Sequence, residues 1–352
     1  MATFLLRFII PTFLFCCFNP IEIISQLSSP SKAESDTLKF LSPEKFKYAD
    51  TQRFLIDGSL PYIKTHIRPV PTIITSVTAT TIFIAQHSLQ LNTIWKTQST
   101  FHIQEDGAYA AYADKFGGHL WGGYFGSYFF RELFLECGVG YENTQLYGTL
   151  MGLGYMTYIE IQDGFGTNWG FSPSDYYFNL LGCGLFYLQG IFPYLQNFTP
   201  KFTIIPAKWH GELPRYPSEN LIDDYSSHTA WLSLNIHNML PEDYKKFCPS
   251  WLGLSLGYAV RNLCGSAPED LPYLNREKSV YINPQAYGNM KFIIALDYDL
   301  VKILPDLGDY GNWLKQTFNL IKLPAPAIEI GQTGTRFFLI YPFPIKLGSV
   351  RF

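Results

Sequence analysis

The sequence predicts an α+β fold: a glycine-packed bundle of about four apolar helices followed by an antiparallel β-sheet. Three observations carry this expectation. Apolar stretches over residues 71–96, 107–136, 145–162 and 174–195 are long enough for helices, and three of them carry glycines at helical spacing. After Pro200 the apolar period changes to two. The chain of 352 residues is only 16% charged but 17% aromatic, which fits an ordered protein with apolar surroundings. The alternation after Pro200 also allows a second arrangement, helices associated with an outer-membrane β-barrel.

Composition narrows the function classes. Charged residues lie well below the roughly 25% of an average soluble protein. Twenty-four Tyr and 29 Phe suit a bilayer interface. A mean hydropathy of +0.02 is too low for a chain built wholly of spanning helices. Net charge is −3 and no basic stripe occurs, which argues against a nucleic-acid partner. The six cysteines form no C-x-x-C pair, so no zinc or redox motif is present. Cys248 and Cys264 flank an apolar strand, and a disulfide between them is open in an oxidising compartment.

Residues 1–36 read as an export signal and linker. Arg7 precedes an apolar run from Phe8 to Phe18, and Ser31-Lys32-Ala33 has a small-x-small pattern. Cys16 and Cys17 are candidate lipidation sites, although Phe15 stands where a lipoprotein signal has a small residue. Cleavage, lipidation and retention as an anchor are all compatible with this stretch. Residues 37–100 form an N-terminal segment with one apolar helix, 71–96, about long enough to cross a bilayer. Its threonines lower helix propensity, so packing must hold it.

Residues 101–200 form the helical core. Gly118, Gly122 and Gly126 recur every four residues, as do Gly148 and Gly152, while Gly182 and Gly190 lie on the last helix. Each glycine weakens a helix by about 1 kcal/mol, so their periodicity points to close helix–helix approach. Residues 201–352 form a β-rich region. Leu232, Leu234 and Ile236 alternate with polar residues, and so do Leu252 to Val260, Phe292 to Tyr298 and Ile328–Ile330. Phe337, Leu339 and Tyr341 share a face. Residues 309–320 read as a short helix, and Pro324 and Pro326 force an extended restart. Terminal Phe352 fits the barrel alternative.

Ionisable residues inside the apolar helices mark a candidate site. Asp114, Lys115 and His119 begin the second helix, with Lys115 and His119 four apart on one face. His119 suits general acid–base work or a satisfied core histidine. Glu160 ends the third helix and, if buried, needs a partner such as His119 or Lys115. Asp163 and Gly164 form the following turn, where Gly164 suits a left-handed cap. Ser172 or Ser174 caps the fourth helix, and Asp175 complements its positive end. Asn179 suggests an interhelical hydrogen bond. The catalytic candidates are therefore His119, Glu160 and Asp175, with Asp114, Lys115, Asp163, Ser172 and Asn179 as a binding or polar network. No metal-ligand spacing and no cofactor motif occurs, so neither is expected. His119, Glu160, Asp175 and Asn179 are expected to point into the bundle, with Lys115 at its rim.

Asp114-Lys115-x-x-x-His119, Glu160-x-x-Asp163-Gly164-Phe165, Trp169-Gly170-Phe171-Ser172 and Asp175-x-x-x-Asn179-x-x-Gly182 resemble the YfiM-type predicted envelope lipoproteins, a domain of unknown function. They are more distantly similar to VanZ-like membrane proteins. The resemblance is strongest from Phe101 to Phe202, while Trp231-Leu232-Ser233, Gly257-Tyr258 and Pro324-Ala325-Pro326 resemble longer members. It implies a bacterial cell-envelope location, at the outer membrane or a periplasm-facing membrane surface. The partners expected there are membrane lipid and other envelope proteins. It implies no reaction. Two function classes follow. A structural or lipid- or glycan-handling protein would pair its polar residues and leave no open cavity. A membrane-interface hydrolase of a lipid or cell-wall precursor would bring His119, Glu160 and Asp175 together in an accessible pocket.

Overall fold

The computed structural model describes residues 39–215, 221–263, 288–332, 334–347 and 350–351. The expected export signal, Cys16, Cys17, Cys264 and Phe352 lie outside these residues. The fold is α+β: a helical segment leads into a six-stranded antiparallel sheet.

Helix α1, Pro69–Asn92, begins with Pro at its first turn and carries no Asp, Glu, Lys or Arg. It packs loosely, burying Thr72, Ala79 and Gln90 and leaving Val70, Ile73, Ile74 and Val77 exposed. The second predicted helix is composite. A π-helix, Asp114–Leu120, runs directly into α2, Trp121–Cys137. The π segment holds one more residue per turn than an α-helix, an insertion common at functional sites. It follows Ala110, Ala111 and Tyr112, whose φ values of 49°, 50° and 65° place three non-glycine residues in the left-handed region. Helix α2 ends at Gly138, where a left-handed φ of 87° is cheapest for glycine. Helices α3, Tyr141–Asp163, and α4, Pro173–Ile191, complete the bundle.

Small residues hold these helices together. Gly126 faces Gly152, where a Cβ on Gly126 would lie 3.6 Å from the Gly152 Cα. A Cβ on Gly123 would fall 2.6 Å from the Asn179 carbonyl oxygen, and one on Gly182 would overlap the Leu120 carbonyl. Gly123, not Gly118 or Gly122, is therefore the close-approach position toward α4. Gly118 is exposed, and Gly122 meets only the flexible end of Met156. Gly122 and Gly126 do share a face, the one turned to Met156 and Gly152 of α3, whereas the contact with α4 uses the adjacent face, which carries Gly123.

The sheet strands are β1 Phe198–Ile204, β2 His228–Leu234, β3 Leu252–Arg261, β4 Asn289–Tyr298, β5 Ala327–Gly331 and β6 Gly334–Phe338. They pair in sequence order, each antiparallel to the next. Among the described residues β1 and β6 are edges, so the barrel alternative is overturned: the sheet is open. Pro200 sits in edge strand β1, where its missing N–H costs no central ladder bond. Helix α5, Gly308–Phe318, supplies the short helix expected near 309–320. Trp121 of α2 stacks on Phe202 of β1 with ring centroids 4.8 Å apart, joining bundle to sheet.

Candidate functional site

The π-helix, α3 and α4 converge on one buried cluster. His119 is its centre. Its Nδ1 lies 3.2 Å from Glu160 Oε1 and 3.2 Å from Asn179 Oδ1. Its Nε2 lies 3.2 Å from Asp114 Oδ2 and 3.3 Å from Asp175 Oδ1. Asn179 Nδ2 donates to Glu160 Oε1 at 3.1 Å, which fixes the amide so that its oxygen faces the imidazole. Four oxygen acceptors around two ring nitrogens favour a donor on each, that is, an imidazolium. Burial opposes that charge. Asp114, Glu160 and Asp175 outweigh burial and hold the His119 pKa well above its ordinary value.

Lys115 is the second hub, and here the structure corrects the expectation. Lys115 is not at the rim but has 0% exposure. Its Nζ donates to Asp106 Oδ1 at 2.7 Å, lies 3.2 Å from Asp114 Oδ2 and contacts Asp175. The stem of a lysine can reach water only if the helix end lets it out. The connector carrying Asp106 closes that route. Although burial disfavours the ammonium, these carboxylates raise its pKa. Asp114 is in turn held well below the carboxylate range despite burial, because His119, Lys115 and the Tyr225 hydroxyl all stabilise its anion. Tyr225 donates to Asp114 Oδ1 at 2.8 Å. Asp175 moves the other way: burial and the neighbouring Asp114 charge raise its pKa.

The remaining candidates have structural duties. Ser172 caps α4 as expected, accepting from the Asp175 N–H at 3.3 Å, and donates its hydroxyl to Asp106 Oδ1 at 2.7 Å. Ser172 is 2% exposed and does not line the groove that borders the cluster, so its hydroxyl serves the cap and the Asp106 contact. Asp163 accepts the Trp95 indole N–H at 2.5 Å, tying the end of α3 to the segment after α1. Burial pushes the Asp163 carboxyl up to about 7. Gly164 caps α3 at φ −57°, a right-handed conformation, so the expected left-handed cap does not form. Glu160, at 1% exposure, leaves Oε2 without a hydrogen-bond partner among the described residues.

Asp114, His119 and Asp175 offer donor atoms within 4.8 Å of one another, the spacing of a metal site. The Lys115 ammonium against Asp114 and Asp175 already supplies the cation there and would repel a divalent ion.

The cluster is buried and its polar residues pair, yet it borders open space, so the closed arrangement expected of a structural or lipid- or glycan-handling protein does not hold. Of the three catalytic candidates, His119 and Asp175 reach that space and Glu160 does not. A groove of about 2370 Å³ runs between α1 on one side and α2 and α3 on the other, and Asp114, Gly118, His119 and Asp175 form part of its wall. Trp121, Phe125, Phe129 and Phe130 of α2 and Tyr155 of α3 make its apolar length. Asp106 and Tyr225 were not singled out in the sequence. Asp106 sits in an unremarkable polar connector, and Tyr225 lies 111 residues from its partner Asp114, so no local pattern reports either contact.

Comparison with curated proteins and with solved structures gives no match. Residues 103–190 match the family model of the predicted periplasmic lipoproteins (DUF2279), and this span holds the π-helix, α2, α3 and nearly all of α4. The segment that holds the ion-pair cluster and the glycine contacts is thus similar to the DUF2279 predicted periplasmic lipoproteins, a domain of unknown function.

Proposed function

We propose that this is a lipid-handling protein of the bacterial cell envelope, acting at the outer membrane or a periplasm-facing membrane surface. It holds an amphiphile with its apolar tail in the groove and its polar head at Asp114, His119 and Asp175. The observation that carries this reading is the junction itself. An apolar groove far larger than the usual 300–1,000 Å³ ligand pocket ends at a fixed constellation of buried charges. Aromatic and aliphatic walls accept acyl chains. The carboxylates at the end, Asp114 and Asp175, accept hydrogen bonds from a head rich in hydroxyl or amino groups. Lys115 and His119 keep those carboxylates in place by ion pairing.

Gly154 provides the test. It lines the groove, and a Cβ there would meet nothing within 4 Å. Gly154→Phe should fill the groove without disturbing the bundle. Titration of the full chain in detergent with NBD-labelled phosphatidylethanolamine should show binding in the parent and at least a tenfold loss in Gly154→Phe. Equal binding by both would overturn the reading.

The hydrolase reading draws on one observation, the placement of both His119 and Asp175 on the groove wall. An imidazolium held by four acceptors is a weak base, so Asp175, whose pKa is raised, is the better proton carrier. Release of fatty acid or head group from a bound phospholipid, abolished in Asp175→Asn with binding retained, would favour hydrolysis over holding.

A further inference from the structure

The sheet is inside-out. Cross-strand register places Pro200, Leu232, Leu256, Ile294, Ile328 and Phe337 in one row across all six strands. The adjacent row on the same face is Phe202, Ala230, Tyr258, Phe292, Ile330 and Thr335, again without a charge. From β3 to β6 this face is open: Phe292 and Phe337 are each 60% exposed, and Leu256, Ile294 and Ile330 are 44–46% exposed. The opposite face carries the charges and is buried from β1 to β5, while Arg336 on edge strand β6 is exposed. There the corresponding row is Lys201, Trp231, Gly257, Ile293, Glu329 and Arg336. Lys201 pairs with Asp297 at 2.8 Å, Arg336 with Glu329 at 2.6 Å, and Lys291 with Glu329 at 3.4 Å.

A sheet in water folds the other way, with its apolar face covered and its charged face solvated. Here ion pairs are desolvated, at a cost, while isoleucines and phenylalanines stand outside. That polarity is stable where the medium outside the sheet is less polar than the protein behind it. The apolar surface also continues beyond the sheet. Tyr258 contacts Phe292 and Phe116, each at 5.4 Å between ring centroids, and Phe116 contacts Phe178 of α4 at 5.7 Å. Tyr177 and Leu181 on the same helix are exposed.

We propose that the outward face of β3–β6 lies against the acyl chains of a lipid bilayer. A protein partner fits this face less well, because a protein interface needs a polar rim and about one hydrogen bond per 100–200 Å². The two rows carry no charge and two hydroxyls, those of Thr335 and Tyr258, and the Tyr258 hydroxyl already donates to the Ala111 carbonyl at 2.6 Å. This inference stands apart from the groove: it concerns a different surface and survives if the groove binds nothing.

The test is a depth probe in the full chain. Ile294→Trp adds an indole to the centre of the exposed row without touching the buried face. The protein is reconstituted into phosphatidylethanolamine–phosphatidylglycerol vesicles with and without brominated acyl chains, and its fluorescence is compared with that of the parent. The added emission should be blue-shifted and lose at least half its intensity to the brominated chains. Water-like emission that bromine does not quench would overturn the proposal. Blue-shifted emission that bromine does not quench would overturn it too, because it would mean that a second copy or the N-terminal segment covers the face. Flotation with vesicles would not discriminate, since an N-terminal anchor gives the same result.

Discussion

Replacing Lys115 by Met removes the cation from the most crowded part of the site while keeping the length of the side chain. Lys115 is fully buried and serves Asp106, Asp114 and Asp175 together. At 3.2 Å each such pair has a Coulomb attraction of about 5 kcal/mol at an effective dielectric near 20. Desolvation of the ammonium offsets much of this, so the measured cost is the penalty of the carboxylates left behind. Breaking a buried pair typically costs about 3–5 kcal/mol. For a protein of 352 residues, with an unfolding entropy of about 2.1 cal/mol/K per residue, that corresponds to a fall in Tm of roughly 4–7 °C.

The pH dependence gives the loss a signature. Without Lys115, Asp175 is held even higher and takes up a proton in the folded state. A carboxyl whose folded pKa is raised binds more protons folded than unfolded between its unfolded pKa near 4 and its folded pKa. Stability in the variant should therefore fall with rising pH across that window more steeply than in the parent. The deficit should be smallest near pH 4–5 and largest above pH 8. Thermal unfolding of both proteins in the same detergent, followed by circular dichroism from pH 4.5 to 8.5, measures this. A Lys115→Met protein with the parent's Tm at pH 8, or with a deficit that grows on acidification, would refute the electrostatic account.

Three further outcomes follow from the same geometry. In the parent, His119 contributes stability that is fully present below its unfolded pKa near 6.5 and is lost as pH rises through its raised folded value; His119→Gln should lower Tm and flatten the alkaline limb of the stability curve. Asp163, pushed up to about 7, withdraws stability as pH rises from about 4 to 7; Asp163→Asn, which still accepts from Trp95, should match or exceed the parent in Tm at pH 8 and lose that advantage near pH 4. Gly123→Ala places a Cβ 2.6 Å from a backbone carbonyl and should cost on the order of 1–3 kcal/mol, whereas Gly122→Ala meets only Met156 Cε at 3.1 Å and should be nearly neutral in chemical denaturation.

The sequence by itself determined the class of the fold and most of its elements, because those follow from local periodicity. Helix α1 was expected over 71–96 and runs Pro69–Asn92; strand β3 was expected over 251–260 and runs Leu252–Arg261. It also picked out His119, Glu160, Asp175 and Asn179, since a polar group in an apolar helix must find a partner wherever that helix goes. What it did not determine was the partner of each. Lys115 looked like a rim residue because its burial is set by Asp106, in a connector with no pattern of its own. The role of Gly123 was not legible either, because four-residue spacing identifies the Gly122–Gly126 face toward α3 but not which second face of the same helix meets α4. The sign of the sheet was undetermined for the same reason. Alternation reveals that a strand has two faces, but which face is buried depends on what packs behind it. In this fold the chain around Lys322 and Tyr341 covers the charged side, where Lys322 lies over Trp231 and Tyr341 donates to Glu329. Tertiary contacts between residues a hundred positions apart made that choice, and a pattern read over ten residues does not contain them.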